Sequence, residues 1–182
     1  MTYSEVAKKL RLPLGFAFGI AYIVWAKPAL LTLIVGAAIA FVGVLIRAWA
    51  AGHIVKNKVL AVTGPYAHTR NPLYFGSFLI GAGFAIAAHW GLLLVVIGFW
   101  LLVYAPTMER ERLDIRGRFP EAYDRYSENV PAFVPRVIAW KDAAAEEGGF
   151  SAALYMKHGE WKAGFTYLLV VGWLVFRLIR GV

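Results

Sequence analysis

One stretch of the chain, residues 59–76, combines turn-forming residues with a cation and aromatic rings. It reads Val-Leu-Ala-Val-Thr-Gly-Pro-Tyr-Ala-His-Thr-Arg-Asn-Pro-Leu-Tyr-Phe-Gly. A guanidinium favours anionic oxygens, and tyrosine rings offer flat apolar surfaces for another ring. Arg70, flanked by Tyr66 and Tyr74, would therefore suit a ligand that carries both an anionic group and an aromatic ring.

The same stretch contains the signals of a turn followed by a helix. Gly64 and Pro65 predict a turn, and Asn71 before Pro72 predicts a helix with an N-cap residue and a proline at its first position. A purely structural interpretation, a well-capped helix with aromatic residues at a membrane interface, accounts for these features. It leaves the arginine between the tyrosines unexplained.

A second group of charges, Glu109-Arg110-Glu111-Arg112, follows a long apolar run. Residues two apart on a helix do not share a face, so only one of Glu109 and Glu111 is expected to face a common pocket. Either could act as a base towards an amine or a thiol, whereas Arg70 could orient a carboxylate. The structural alternative is a charged helix start, where glutamates favour the positive end of the helix dipole.

The composition indicates that a lipid bilayer surrounds these groups. The chain is 60% hydrophobic and 16% charged, with a mean hydropathy of +0.60, whereas soluble domains carry roughly 25% charge. Spans need ~20 mostly apolar residues, fewer if flanking side chains reach the interface. The sequence predicts an all-α polytopic membrane protein with one domain, 1–182, and five spans: 12–26, 29–48, 72–88, 92–106 and 164–176.

The distribution of charge predicts the orientation of these spans. With the N-terminus in the cytoplasm, 16 of the 19 basic residues lie on the cytoplasmic side, the exceptions being Lys27, Arg177 and Arg180, as the positive-inside rule requires. All 11 acidic residues lie there too. We therefore expect an inner membrane of a prokaryote and a cytoplasmic ligand-binding region built from residues 55–76 and 107–136.

Two shorter helices are predicted outside the spans. Pro120 interrupts a charged helix and is expected to start a second short helix at its first turn. Residues 150–161 are expected to form an amphipathic helix that lies at the membrane interface before the last span.

Several classes of function are disfavoured by residue type. The chain has no cysteine, which excludes thiolate nucleophiles and Cys-based metal sites. The histidines show no metal-ligand spacing, so no metal site is expected. Basic residues cluster beside apolar runs, which makes lipid headgroups a nearer anion than nucleic acid. No obligate protein partner is evident.

Taken in order, these motifs resemble one family of membrane enzymes. The features are Gly64-Pro65-Tyr66, the run from Arg70 to Gly76, the acids Glu109 and Glu111, the aromatic residues Phe119, Tyr123 and Tyr126, and the steps Val130-Pro131 and Val134-Pro135-Arg136. Over about residues 55–136 they resemble the isoprenylcysteine carboxyl methyltransferase and phospholipid methyltransferase family. A combination of this length is more specific than its short pieces.

The resemblance implies an S-adenosylmethionine-dependent methyltransferase of the membrane. Its acceptor would be a lipid-like or small hydrophobic molecule, such as an isoprenylcysteine carboxylate or an aminophospholipid. By this likeness Arg70 and Glu111 would be catalytic. The cofactor, S-adenosylmethionine, would be bound by Tyr66, His68, Asn71, Tyr74, Glu109 and Arg112.

Two alternatives stay open at this point. The first is an NADPH-dependent membrane reductase of the sterol reductase kind, which has a similar arrangement of arginine, asparagine and tyrosines. The second is a non-catalytic membrane scaffold or lipid-binding module, in which the charged segments anchor to lipid headgroups.

Overall fold

The computed structural model describes residues 13–17, 19–20, 22–54, 59–141 and 149–181. Within these ranges the regular structure is helical and no strand occurs, so the all-α prediction is confirmed. The helices are α1 (Pro13–Trp25), α2 (Leu30–Ala51), α3 (Pro72–Ala88), α4 (Leu92–Arg118), α5 (Pro120–Asn129), α6 (Ala152–His158) and α7 (Trp161–Arg180), and a 3-10 turn covers Gly64–Ala67.

Three of these helices are long and apolar enough to cross a membrane. They are α2, α4 and α7, with 22, 27 and 20 residues. The apolar helices α1 and α3 are shorter, and α3, with 17 residues, is about 25 Å long at ~1.5 Å per residue. The predicted count of five spans is therefore not confirmed by helix length.

Two helices extend beyond the bounds predicted for the membrane spans that they contain. Helix α4 continues to Arg118 instead of ending near residue 106, and α7 runs from Trp161 to Arg180 instead of covering 164–176. A hydropathy window ends at the first charges, whereas the helical hydrogen bonds continue because leucine, glutamate and arginine are good helix formers. Pro120 does occupy the first turn of α5, as predicted, and α6 lies within the predicted amphipathic segment.

The helices meet at two chemically different ends. At one end, the Lys27 N–H of the α1–α2 turn donates to the Ala88 carbonyl at 3.3 Å, and Arg177 Nη1 donates to the Ile23 carbonyl at 2.9 Å. This end thus carries both tight helical turns and the end of α7. The opposite end carries α5, α6 and the charged part of α4, and we call it the polar end.

Glycines allow α2 and α3 to pack with their backbones in contact. Gly36 of α2 faces Gly83 of α3, and Gly43 of α2 faces Gly76 of α3. On each helix the two glycines are seven residues apart in sequence. A Cβ atom at Gly43 would lie 2.5 Å from the Gly76 carbonyl oxygen, and one at Gly83 would lie 2.5 Å from the Gly36 carbonyl oxygen. Small residues at such positions permit close helix packing in a membrane. The contact fixes the polar ends of α2 and α3 side by side.

Helix α4 changes its winding where it approaches the polar end. Residues Trp100–Tyr104 form a π turn, and the Ala105 N–H donates to the Trp100 carbonyl. The turn ends two residues before Pro106, which has no N–H and whose ring crowds an ordinary α-helical turn. The Tyr104 ring stacks on Trp100, with 4.4 Å between centroids and 13° between planes.

A matched pair of glycine substitutions tests the α2–α3 contact. Gly43→Ala should lower the free energy of unfolding by about 1–3 kcal/mol, because the added methyl group has no space between the two backbones. Gly98→Ala in α4 is the control: no heavy atom lies within 4 Å of its added Cβ. It should be neutral or stabilise by up to about 1 kcal/mol through helix propensity.

Thermal unfolding in detergent, followed by circular dichroism, measures both variants. Equal unfolding midpoints for the two would show that α2 and α3 do not approach this closely.

Candidate functional site

A cavity of about 950 Å³ opens at the polar end, at the upper end of the range found for small-molecule sites. Side chains from α1 to α5, from residues 59–71 and from the turn before α7 form its wall. The arginines that line it are Arg47, Arg70, Arg112 and Arg118. These four cations outnumber the three lining carboxylates, Glu111, Asp114 and Glu160, and such an excess favours anionic groups.

One wall of the cavity contains residues 59–71, which we call the cavity segment and which are irregular apart from the 3-10 turn. Residues 130–140, which we call the return segment, are irregular as well; they lie outside the cavity lining and are joined to the cavity segment. Backbone hydrogen bonds join them: the Arg70 N–H donates to the Pro131 carbonyl, and the Arg136 N–H donates to the His68 carbonyl, both at 2.9 Å. The Trp140 N–H donates to the Ala67 carbonyl at the same distance. Backbone groups outside helices need such partners when they are buried.

Side-chain hydrogen bonds also hold this part of the polar end together. Tyr126 Oη donates to the Tyr66 carbonyl at 2.7 Å, and the hydroxyl of the buried Thr69 donates to the Phe133 carbonyl at 2.9 Å. Tyr126 is buried with Val130 in an apolar cluster. Burial raises the pKa of Tyr126 well above its ordinary value, so its hydroxyl remains a hydrogen-bond donor at neutral pH.

An ion pair between distant parts of the chain lies on another side of the cavity. Arg47 near the end of α2 binds Glu160 through two hydrogen bonds, Nε to Oε2 at 2.9 Å and Nη2 to Oε1 at 2.6 Å. Its Nη1 also donates to the Ser77 hydroxyl. The side chains are 24% and 14% exposed. The pair therefore ties α2 to the start of α7 beside the cavity.

Two buried donor atoms in the cavity wall have no hydrogen-bond partner among the described residues: Tyr66 Oη and Arg70 Nε. Arg70 Nη1 donates to Tyr123 Oη at 3.3 Å, and the guanidinium lies 5.9 Å from the centre of that ring. Burial, followed by the charges of Glu160 and Glu111, raises the pKa of Tyr66, while Arg47 opposes the shift. The Tyr66 phenol is therefore protonated and can donate.

The two candidate glutamates have different positions. Glu111 lines the cavity and accepts a hydrogen bond from Tyr74 Oη at 2.8 Å. Glu109 is not among the lining residues, and it pairs with Arg112, which donates from Nε to Oε2 at 2.7 Å. This side-chain hydrogen bond is the main cause that lowers the pKa of the solvent-facing Glu109 carboxylate. Glu111 is thus the glutamate that faces the common pocket.

His68 and Asn71 hold the return segment. His68 Nδ1 lies 2.9 Å from the Arg136 carbonyl, and Asn71 Nδ2 donates to the Ala132 carbonyl at 2.8 Å. Asn71 occupies the N-cap position of α3 as predicted, yet its side chain makes no capping bond. Of the predicted site residues, the cavity brings together Tyr66, Arg70, Asn71, Tyr74, Glu111 and Arg112, and it leaves out His68 and Glu109.

Arg47, Glu160 and Tyr104 are among the cavity-lining residues that were not predicted as site residues. Arg47 was interpreted as a topology signal, Glu160 as part of the interfacial segment, and Tyr104 as part of an apolar span. A signal was present for the ion pair, because a charged residue near the end of an apolar helix usually pairs inside the protein. Its partner, over a hundred residues away, could not be read from spacing.

The described ranges contain no group of three or more His, Cys, Asp or Glu side chains that could hold a metal ion.

Comparison with known proteins finds two relatives named for metal resistance. The chain is 34% identical over 122 residues to the cobalt-zinc-cadmium resistance protein CzcN of Cupriavidus metallidurans, which covers 64% of this chain and 54% of the relative. It is 35% identical over 122 residues to the nickel-cobalt-cadmium resistance protein NccN of Alcaligenes xylosoxydans xylosoxydans, covering 64% of this chain and 55% of the relative. The chain thus spans about half the length of these relatives. No family model and no solved structure matches it.

These comparisons correct the sequence-based assignment. Membership of the isoprenylcysteine carboxyl methyltransferase and phospholipid methyltransferase family is wrong, and so are the methyl-transfer function and the description as an S-adenosylmethionine-dependent enzyme, because the relatives are named for metal resistance. The motifs were interpreted as parts of a catalytic site, and there is a physical reason for this error. Several of them start α3 or hold the return segment, so they specify a backbone arrangement and not a reaction.

A double-substitution experiment tests the ion pair. Arg47→Ala should lower the free energy of unfolding by about 3 kcal/mol, because it leaves the partly buried Glu160 carboxylate without its partner. The double variant Arg47→Met, Glu160→Met should be more stable than Arg47→Ala. Arg112→Ala is the control, since it removes an exposed pair with Glu109, and it should have a smaller effect.

Thermal unfolding of the purified protein provides the comparison. If Arg47→Ala and Arg112→Ala shift the midpoint equally, the Arg47–Glu160 pair does not join the helices as described.

Proposed function

We propose that this chain is a non-catalytic integral membrane protein that contributes to resistance against divalent metal ions such as cobalt, cadmium, zinc or nickel. The observation that carries the proposal is the likeness over 122 residues to two proteins, both named for resistance to cobalt and cadmium among other metals. Because the chain spans about half of each relative, their activity is extended to it here as a proposal.

We propose that five helices of the protein cross the membrane. Helices α2, α4 and α7 have the required length, and α1 and α3 lie antiparallel to them in hairpins whose turns meet at the same end. Short apolar helices can cross where the bilayer thins or flanking side chains reach the interface. The positive-inside rule supports a cytoplasmic N-terminus and polar end, in the inner membrane of a prokaryote.

The charges in the cavity favour a role other than holding the metal itself. Four arginines line it, and a divalent cation would be repelled by them. Three carboxylates line it as well, those of Glu111, Asp114 and Glu160, and two of them, Glu111 and Glu160, already accept hydrogen bonds from Tyr74 and Arg47. The protein is therefore proposed to support resistance as a scaffold or lipid-binding module of the membrane, with an anionic or lipid-like ligand at its polar end.

Binding of S-adenosylmethionine in this cavity remains a prediction. It is a prediction of binding alone, and no methyl transfer is proposed. Calorimetric titration of the purified protein with this compound tests it.

Deleting the gene in its own host tests the proposed function. Loss of the protein should lower the minimal inhibitory concentration of cobalt or cadmium salts, and a plasmid-borne copy should restore it. Growth without added metal, and growth in sodium chloride of equal ionic strength, are the controls. Unchanged tolerance to all four metals in the deletion strain would contradict the proposal.

A further inference from the structure

Two donors in the cavity wall point to a missing acceptor. The Tyr66 side chain is buried, with 6% of the residue exposed, and its hydroxyl has no partner in the described part of the chain. The Nε atom of Arg70 is also buried and has no hydrogen-bond partner among the described residues. Buried polar atoms in folded proteins are almost always hydrogen-bonded, and an unpaired one needs an explanation. Both residues belong to the wall of one cavity.

The charge of Arg70 indicates what kind of acceptor would fit. The partners that the described residues provide for its side chain are the hydroxyl and the ring of Tyr123, which are neutral. Arg47 and Arg112, by contrast, each bind a carboxylate. An oxyanion beside Arg70 would accept from its Nε and neutralise its charge, and such charge-assisted hydrogen bonds are stronger than neutral ones.

A second, smaller cavity indicates that this anion is carried by a lipid. It has a volume of about 370 Å³ and shares Arg47, Ser77 and Glu160 with the first cavity. From there it continues between α3 and α7 along the apolar residues Ile80, Phe84 and Ala163, and its lining also includes Lys162, Thr166 and Tyr167. A polar cavity and an apolar groove that share a wall can accommodate the headgroup and an acyl chain of one amphiphile.

We propose that the first cavity binds the anionic headgroup of a phospholipid, with Tyr66 Oη and Arg70 Nε donating to its phosphate oxygens and an acyl chain in the groove between α3 and α7. The site deepens the proposed function by naming its ligand, and it rests on that proposal only for the membrane location. A free phosphate offers the same oxyanion without a chain, so the experiment separates these two sources.

The test uses the purified full-length protein in a non-ionic detergent. Short-chain phosphatidylglycerol, phosphatidylcholine with the same chains, and inorganic phosphate are titrated separately, and binding is followed by calorimetry and by native mass spectrometry. Phosphatidylglycerol should bind most tightly, because its headgroup carries a net negative charge. Binding of inorganic phosphate as tightly as phosphatidylglycerol would overturn the lipid as the ligand, and binding of neither would overturn the site.

Substitutions connect the binding to the two donors. Arg70→Gln should weaken phosphatidylglycerol binding by roughly tenfold or more, as expected for loss of a charge-assisted hydrogen bond. Arg116→Gln is the matched control, since Arg116 pairs with Asp124 and is not a lining residue, and it should leave the affinity unchanged. Equal affinities for the two variants would overturn the role of Arg70.

Tyr66→Phe gives a second readout that a purely structural tyrosine would not give. It should weaken lipid binding while the unfolding midpoint of the lipid-free protein stays the same or rises, because the hydroxyl that is removed has no partner there. Tyr22→Phe, outside the lining of the first cavity, removes a hydroxyl that donates to the Phe84 carbonyl at 2.9 Å, and it should lower the midpoint of the lipid-free protein. If Tyr66→Phe destabilises the lipid-free protein as Tyr22→Phe does, the hydroxyl has a protein partner and the site is overturned.

The metal-tolerance experiment on the deletion strain remains separate from this result. A protein that binds no phospholipid can still change tolerance, and a phospholipid-binding protein can leave tolerance unchanged. Failure of one proposal is therefore distinguishable from failure of the other.

Discussion

The hydrogen bonds between the cavity segment and the return segment are the constraint on which the polar end depends. Apart from the 3-10 turn at Gly64–Ala67, neither segment is a regular helix or strand, so most of their backbone groups must find partners in each other or in water. Pro131 accepts from Arg70, and Ala67 accepts from Trp140. These bonds close the chain over α5 and fix the side of the cavity that carries Tyr66. Arg70 and Tyr66 of the cavity wall are thereby held in place.

The close contact of α2 and α3 supplies the other side of the cavity. Because glycines let the two backbones touch, Arg47 at the end of α2 reaches the first turns of α3 and also Glu160 before α7. An arginine and a glutamate are thereby kept together beside an apolar groove, where a single unpaired charge would be costly. The apolar packing of α2 against α3 therefore determines where the charged side chains of Arg47 and Glu160 meet.

Much of the fold was predictable from the sequence, because it follows from local properties of the chain. Apolar runs marked the helices, and Pro72 and Pro120 marked helix starts. The site was predictable only in part. Arg70 and Tyr66 lie within one short motif, whereas Glu160 is distant in sequence from Arg47 and only packing shows that they meet. The function was predicted wrongly because residues such as Asn71, which hold the backbone together, were interpreted as parts of a catalytic site.

Amide hydrogen exchange of the purified protein tests the joining of the two segments most directly. The N–H groups of Arg70, Arg136 and Trp140 donate across the segments, so they should exchange slowly, at rates close to those of helix α3. The amides of Val137 and Ile138, whose side chains are exposed, provide the fast reference within the return segment. If Arg70, Arg136 and Trp140 exchange as fast as this reference, the segments are not joined and the cavity wall described here does not exist.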